Sequence, residues 1–271
     1  MMRQRLLHEI RLGLTAVQFF TRLPVPAWVG WSPQQAADSV RWLPAVGWIV
    51  GAVFGAVLWA AQGLWPVPLA VGLAMWAALW LTGAFHEDGF ADCCDALGGH
   101  LPPEHALAVM KDSRVGAYAV IGLIVLLGLK AAAWVELAQR GSGPTLIGVA
   151  VASHALSRWA PLWVMARLDY VRPEGSGSKS QPLASQRPSA GALVSAAVWA
   201  LLPSLWLLSQ GGAGASVIGA VLGVGLVSVG SVRWLRRRLG GYVGDTLGAV
   251  QQVAELVCLL AWSHHGLGGH V

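Results

Sequence analysis

The stretch VPLAVGLAMWAALWLTGAFHEDGFADCCDALGG, Val67 to Gly99, runs from an apolar segment straight into a cluster of acids. The apolar part, 67–86, is about the 20 residues that an α-helix needs to cross a bilayer. The acids then arrive at the point where such a helix would leave the hydrocarbon. Asp88, Asp92, Asp95, Asp112 and Glu87 fall within 26 residues of a chain that has 13 acids in 271. Carboxylates crowded at a membrane surface repel one another, and a bound divalent cation is the simplest reason to gather them.

Composition agrees with the membrane reading. Apolar residues make up 55% of the chain and charged residues 11%, against about 25% charged in soluble domains. The mean hydropathy is +0.58, and the 15 tryptophans suit membrane–water interfaces. The expected fold is all-α: one polytopic helical bundle over 1–271, with about seven transmembrane helices and an N-terminal amphipathic helix. The spans fall near 43–63, 67–86, 115–138, 145–166, 190–209, 212–232 and 247–264. Residues 1–26 place apolar side chains at helical spacing with arginines opposite, and Pro24 and Pro26 end the segment. No cleavable signal peptide is expected.

Charge orients this bundle. With the N-terminus in the cytoplasm, 15 of the 18 basic residues fall on the cytoplasmic side. The polar loops 87–114, 167–189 and 233–246 lie there too. Arg140 faces the other side, while Lys130 and Arg158 lie inside spans. This is the asymmetry of the positive-inside rule. It also explains the basic pI of about 9.6, so no nucleic-acid partner is expected.

Asp88, Asp92 and Asp95 are spaced i, i+4, i+7, within about 60° of one another around a helix. An oxygen-only donor set of this kind suits Mg²⁺ or Mn²⁺, completed by substrate phosphates. The plain alternative is a solvated helix end. Gly89 permits close approach to the backbone, and Gly98 and Gly99 end the helix. His86 and Glu87 can each position a proton or a ligand, and His86 can equally cap the span. Cys93 and Cys94 read as small packing residues rather than ligands for a soft metal, and with Cys258 they make no disulfide framework. The motif MKDSRVG, Met110 to Gly116, supplies Asp112 as a further carboxylate, with Lys111 and Arg114 suited to phosphate oxygens. Both cations also serve topology.

Deeper in the bundle, Arg158 lies about 12 Å from the cytoplasmic face and Lys130 about 22 Å. An intramembrane Arg needs a cavity or a partner. No span acid is expected at a matching depth, so the candidate is a substrate phosphate or a metal-site carboxylate dipping into a cytoplasm-facing cavity. Lys130 can snorkel outward instead. His154 reads as a hydrogen-bonding core residue. The Gly/Ser stretch Arg172 to Ser180 is either a phosphate-wrapping loop or a linker. Asp245, at the start of the last span, is either a ligand or an N-terminal cap.

Together these segments resemble the adenosylcobinamide-GDP ribazoletransferase (cobalamin synthase) family. The matching pieces are FFTRLPVP (Phe19 to Pro26), HEDGFADCCDALGG, MKDSRVGAYAV, Lys130, Ser157–Arg158 and LGGYVGDTLGA (Leu239 to Ala249). They cover the chain from end to end, in order. The chain departs at Glu87, where the family usually has His-Leu-Asp-Gly, and the glycines at 175–178 match loosely. The resemblance implies a multi-pass, Mg²⁺-dependent enzyme of the bacterial inner membrane with its active site facing the cytoplasm. It would join adenosylcobinamide-GDP to α-ribazole, or its 5′-phosphate, and release GMP. The catalytic carboxylates would be Asp88, Asp92, Asp95 and Asp112, the first three holding the metal. Lys111, Arg114 and Arg158 would contact phosphates, and Asp245 a second metal or the nucleoside. Membrane lipid is the other expected partner, with self-association left open. Two alternatives use the same cluster. One is a transferase acting on a CDP-alcohol or lipid pyrophosphate, whose usual aspartate order is absent here. The other is a cation-coupled transporter, which would need midplane acids and the inverted repeats that the chain lacks.

Overall fold

The computed structural model of the chain describes residues 2–141, 143–172, 183, 186–211 and 214–265. The Gly/Ser stretch read as either a phosphate-wrapping loop or a linker lies, beyond Arg172, outside these residues. The described architecture is all-helical. Its only β pairing among them is an isolated bridge between Tyr170 and Tyr242.

Helix α1 (Met2–Phe20) is the expected amphipathic helix. It buries Leu12, Ala16 and Phe20 while exposing Leu6, Leu7 and Ile10. Glu9 on α1 accepts from Arg41 at 2.8 Å, which pins the helix to the bundle. Helix α2 (Pro33–Ser39) starts at a Ser32 cap that accepts from the Gln35 N–H. It leads through a short 3₁₀ turn into α3 (Leu43–Gln62). Then follow α4 (Val67–Thr82), α5 (Phe85–Leu97) and the short α6 (Pro103–Val109). Helices α7 (Ala117–Arg140), α8 (Gly143–Ser157) and α9 (Trp159–Arg167) come next. The last three are α10 (Ala190–Ser209), α11 (Gly214–Leu239) and α12 (Gly244–His265).

Among the described residues, five helices are long and apolar enough to span a membrane, and six if α4 and α5 count as one bent span. The expected 145–166 span is not among them, because the chain breaks at Arg158 into α8 and α9. Helix α8 is central rather than peripheral, with Leu146, Val149, Ala150 and Ala152 through Ser157 all buried. It lies flush against α3, where Gly47, Gly51 and Gly55 form a smooth stripe. A Cβ at Gly47 would meet the His154 carbonyl oxygen at 2.4 Å, and one at Gly51 the Ala150 oxygen at 2.6 Å. Small residues at four-residue spacing let two helix backbones touch, which is how helices adhere where lipid supplies no hydrophobic drive.

Two other boundaries differ from expectation. The span predicted over 67–86 stops at Thr82, where Gly83 and Ala84 take left-handed conformations at φ +66° and +56°. Their N–H groups close back onto Trp80 and Leu79, and the chain turns by 90° into α5. The acidic segment therefore lies across the end of the bundle as a helix, not a loop. Helix α11 runs to Leu239, so Arg233 to Arg238 belong to its last turns rather than to the following loop.

Candidate active site at the carboxylate end of the bundle

Helix α5 carries the acidic motif, and α12 passes directly beneath it. A Cβ at Gly89 would come within 2.7 Å of the Asp245 carbonyl oxygen, and one at Gly248 within 3.0 Å of the His86 oxygen. The close approach expected at Gly89 is thus made by the chain itself. It brings Asp245, in the first turn of α12, to the acidic helix. Asp88 is exposed and Asp92 half-buried. Burial, then the charges of Asp245 and Asp88, push the Asp92 carboxyl up to about 7. Arg172 donates to Asp245 at 2.8 Å and partly offsets the crowding.

Further contacts gather three separated polar segments at this end. The 169–171 backbone pairs with Tyr242 through Val171 N–H to Tyr242 O at 3.0 Å and Tyr242 N–H to Asp169 O at 2.9 Å. Arg238, at the end of α11, donates to the carbonyls of Leu97 at 3.2 Å and Gly99 at 2.6 Å, which lie at the end of α5.

Asp95 is employed differently from its helical neighbours. Its two carboxylate oxygens accept from Gly116 N–H at 2.6 Å and Ala119 N–H at 2.9 Å. It caps the start of α7, where a carboxylate is favoured by orphan N–H groups and the helix dipole. Asp112 turns to Arg114, which reaches it through Nε at 2.9 Å and Nη2 at 2.5 Å. These hydrogen bonds hold the Asp112 carboxyl down at about 2. Lys111 and Arg114 are exposed on the same loop. Among the described residues, no three His, Cys, Asp or Glu side chains form a ready-made metal cage. The three cysteines are free, with Cys93 and Cys258 buried as packing residues.

Arg158 and Lys130 go elsewhere, into a polar chamber within the bundle. Arg158 is 2% exposed, and its Nη1 donates to the His154 carbonyl at 2.8 Å. Lys130 does not snorkel outward. It is buried against Glu255 of α12, with Nζ to Oε1 at 2.6 Å. The anticipated lack of a span acid at this depth was therefore mistaken. His154 has the hydrogen-bonding core role expected of it, between Arg158 and Glu255. His86 is buried and stacks on the Phe20 ring, and Glu87 accepts from Gln252 at 2.8 Å. Sequence reasoning misses Glu255, Gln251 and Gln252, and it reads Arg172 only as the first residue of a phosphate-wrapping loop or linker. The signal for the first three was present: QQVAE sets three polar side chains inside an apolar span, which is costly without a role.

The family model described as cobalamin-5-phosphate synthase matches residues 13–263. The chain belongs to the cobalamin-5-phosphate synthase family. Among its relatives is a Leptothrix cholodnii protein named adenosylcobinamide-GDP ribazoletransferase, 48% identical over 95% of this chain and 96% of that one. Proteins of the same name from Ralstonia pickettii and Shewanella piezotolerans are 42% and 38% identical, over 92% and 93% of this chain and 94% of each relative. No solved structure matches. Cobalamin-5-phosphate synthase membership agrees with the resemblance read from the motifs, and the relatives' name is that of a transferase. It also sets aside the transporter and the CDP-alcohol transferase, which no feature of the site favours.

Proposed function

We propose that this protein is the transferase that joins adenosylcobinamide-GDP to α-ribazole, or to its 5′-phosphate, and releases GMP. The observation that carries the reading is the gathering of Asp88 and Asp92 of α5 with Asp245 of α12 in a chain of this family. The charge count over the loops supports placing this end in the cytoplasm and the protein in the bacterial inner membrane.

The donor set fits Mg²⁺. Its oxygens are hard, its charge is in excess, and Mg²⁺ takes one or two carboxylates and completes its shell with water and substrate phosphates. Asp88 and Asp92 would hold it, with Asp245 as the third carboxylate within reach of the cluster. In this reading Asp95, whose oxygens accept from the N–H groups at the start of α7, serves as a cap rather than as a ligand. When bound, the ion supplies charge neutralisation on pyrophosphate oxygens. The reaction would be an in-line displacement: the ribazole ribose oxygen bonds to the phosphorus on the cobinamide side, its proton passes to solvent water, the bond from that phosphorus to the GMP oxygen breaks, and GMP departs. Lys111 and Arg114 stand on the exposed loop where they would orient phosphate oxygens. Asp112 is a poor proton acceptor at neutral pH, because its carboxyl sits at about 2, and it serves to hold Arg114. Arg158, engaged on the His154 carbonyl, gains no support as a phosphate ligand. Arg172 beside Asp245 is the better-placed cation.

Purified protein incubated with both substrates should release GMP, and omission of either should abolish release. CMP release from a CDP-alcohol and an acceptor alcohol instead, or no GMP release with the cobinamide and ribazole pair, would reject the reading.

A further inference from the structure

We propose that the buried Lys130–Glu255 pair, acting through Gln252, positions Glu87 and with it the carboxylates of α5. Lys130, Gln252 and Glu255 are then positioning residues for Asp88 and Asp92, and this rests on the metal reading given above.

The chain of contacts is continuous. Lys130 Nζ meets Glu255 Oε1 at 2.6 Å and donates to Gln252 Oε1 at 3.0 Å. Gln252 Nε2 in turn donates to Glu87 Oε1 at 2.8 Å. The amide is read from both sides: its oxygen faces an ammonium and its nitrogen a carboxylate, so only one orientation satisfies both. Gln251 braces Glu255 at 2.8 Å and Ser157 of α8 at 3.0 Å. Helices α7, α8 and α12 are thus tied together behind Gln252, which reaches Glu87 of α5, and Glu87 adjoins Asp88.

Helix α5 needs such an anchor. It begins directly after Ala84, whose left-handed backbone is disfavoured for a residue with a Cβ. A strained turn persists only where its surroundings over-determine it. Bundle adhesion has another source, the Gly47–Gly51–Gly55 contact with α8, and buried ion pairs are weak sources of stability. A small polar cavity adjoins the network. Glu87 Oε2 and Arg158 Nε are buried without a hydrogen-bond partner. Both residues line a cavity of about 30 Å³.

The test uses full-length protein in detergent and two variants. Gln252→Met conserves volume and leaves the ion pair intact. Lys130→Met/Glu255→Met removes both charges together, so neither is stranded. Mn²⁺ binding is titrated by electron paramagnetic resonance with Mn²⁺ alone, alongside thermal unfolding and the Mg²⁺ dependence of GMP release. Both variants should melt within a few degrees of wild type. Both should bind Mn²⁺ at least tenfold more weakly and need at least tenfold more Mg²⁺ for half-maximal turnover. Stable variants with wild-type Mn²⁺ binding overturn the positioning role. Unfolding of both variants overturns it as well, because the network would then be holding the bundle. A wild-type protein that binds no Mn²⁺ sinks the metal reading itself, a result distinct from either.

Discussion

Asp92 and Asp95 lie three positions apart on one helix and have different tasks, which shows what spacing alone can tell. Periodicity places both on one side of α5, and they are there. It cannot tell that the start of α7, more than 20 residues later in the chain, brings the Gly116 and Ala119 N–H groups onto Asp95 while Asp92 feels the charge of Asp245. Replacing Asp95 by Ala should therefore lower stability by about 1–2 kcal/mol, the usual loss of a capping side chain, read as a lower melting temperature in detergent. Asp95→Asn should retain part of it. An Asp95→Ala protein with an unchanged melting temperature and lost Mn²⁺ binding would return Asp95 to the ligand set. Arg172 was legible only as a positive charge, because its partner Asp245 lies 73 residues away in the chain.

At the scale of elements, span positions were legible because long apolar runs have few alternatives in a membrane. Helix α10 occupies the predicted 190–209. The breaks were less legible. Gly83–Ala84 sits inside an apolar pattern that gives no sign of a 90° turn, and Arg158 divides a run that reads as one helix. The glycine stripe of α3 was written in the sequence at four-residue spacing and passed over among 34 glycines. It makes sharp predictions. Gly51→Leu would drive a side chain into the α8 backbone and should leave no monodisperse folded protein on size-exclusion chromatography. Gly72→Ala, where a Cβ would meet nothing within 4 Å, should behave as wild type. Ala84→Gly relieves a left-handed alanine and should raise stability by about 0.5–1 kcal/mol, the steric relief less the extra backbone entropy of glycine. A lower melting temperature for that variant would mean the turn is not strained.

For the whole molecule, the central expectation is that one end of the bundle carries the chemistry and faces the cytoplasm. The loops assigned to that side by charge are joined there by Arg172 to Asp245 and Arg238 to the end of α5. The intramembrane polar network is hidden from the sequence because Lys130 and Glu255 are 125 residues apart in the chain and pair only once α7 and α12 pack together. Orientation is checked at Ser113, which is exposed beside Asp112. A Ser113→Cys protein lacking the three native cysteines should react with a membrane-impermeant maleimide in inverted vesicles and not in intact cells. Labelling in intact cells would move the site to the wrong face. The most direct measurement of the account is GMP release from adenosylcobinamide-GDP and α-ribazole by wild type and Asp92→Asn, with Mg²⁺ and with excess EDTA. The account predicts Mg²⁺-dependent release by wild type and at least a hundredfold loss in a variant that inserts and melts normally. Undiminished release in EDTA, or wild-type turnover by Asp92→Asn, would contradict it.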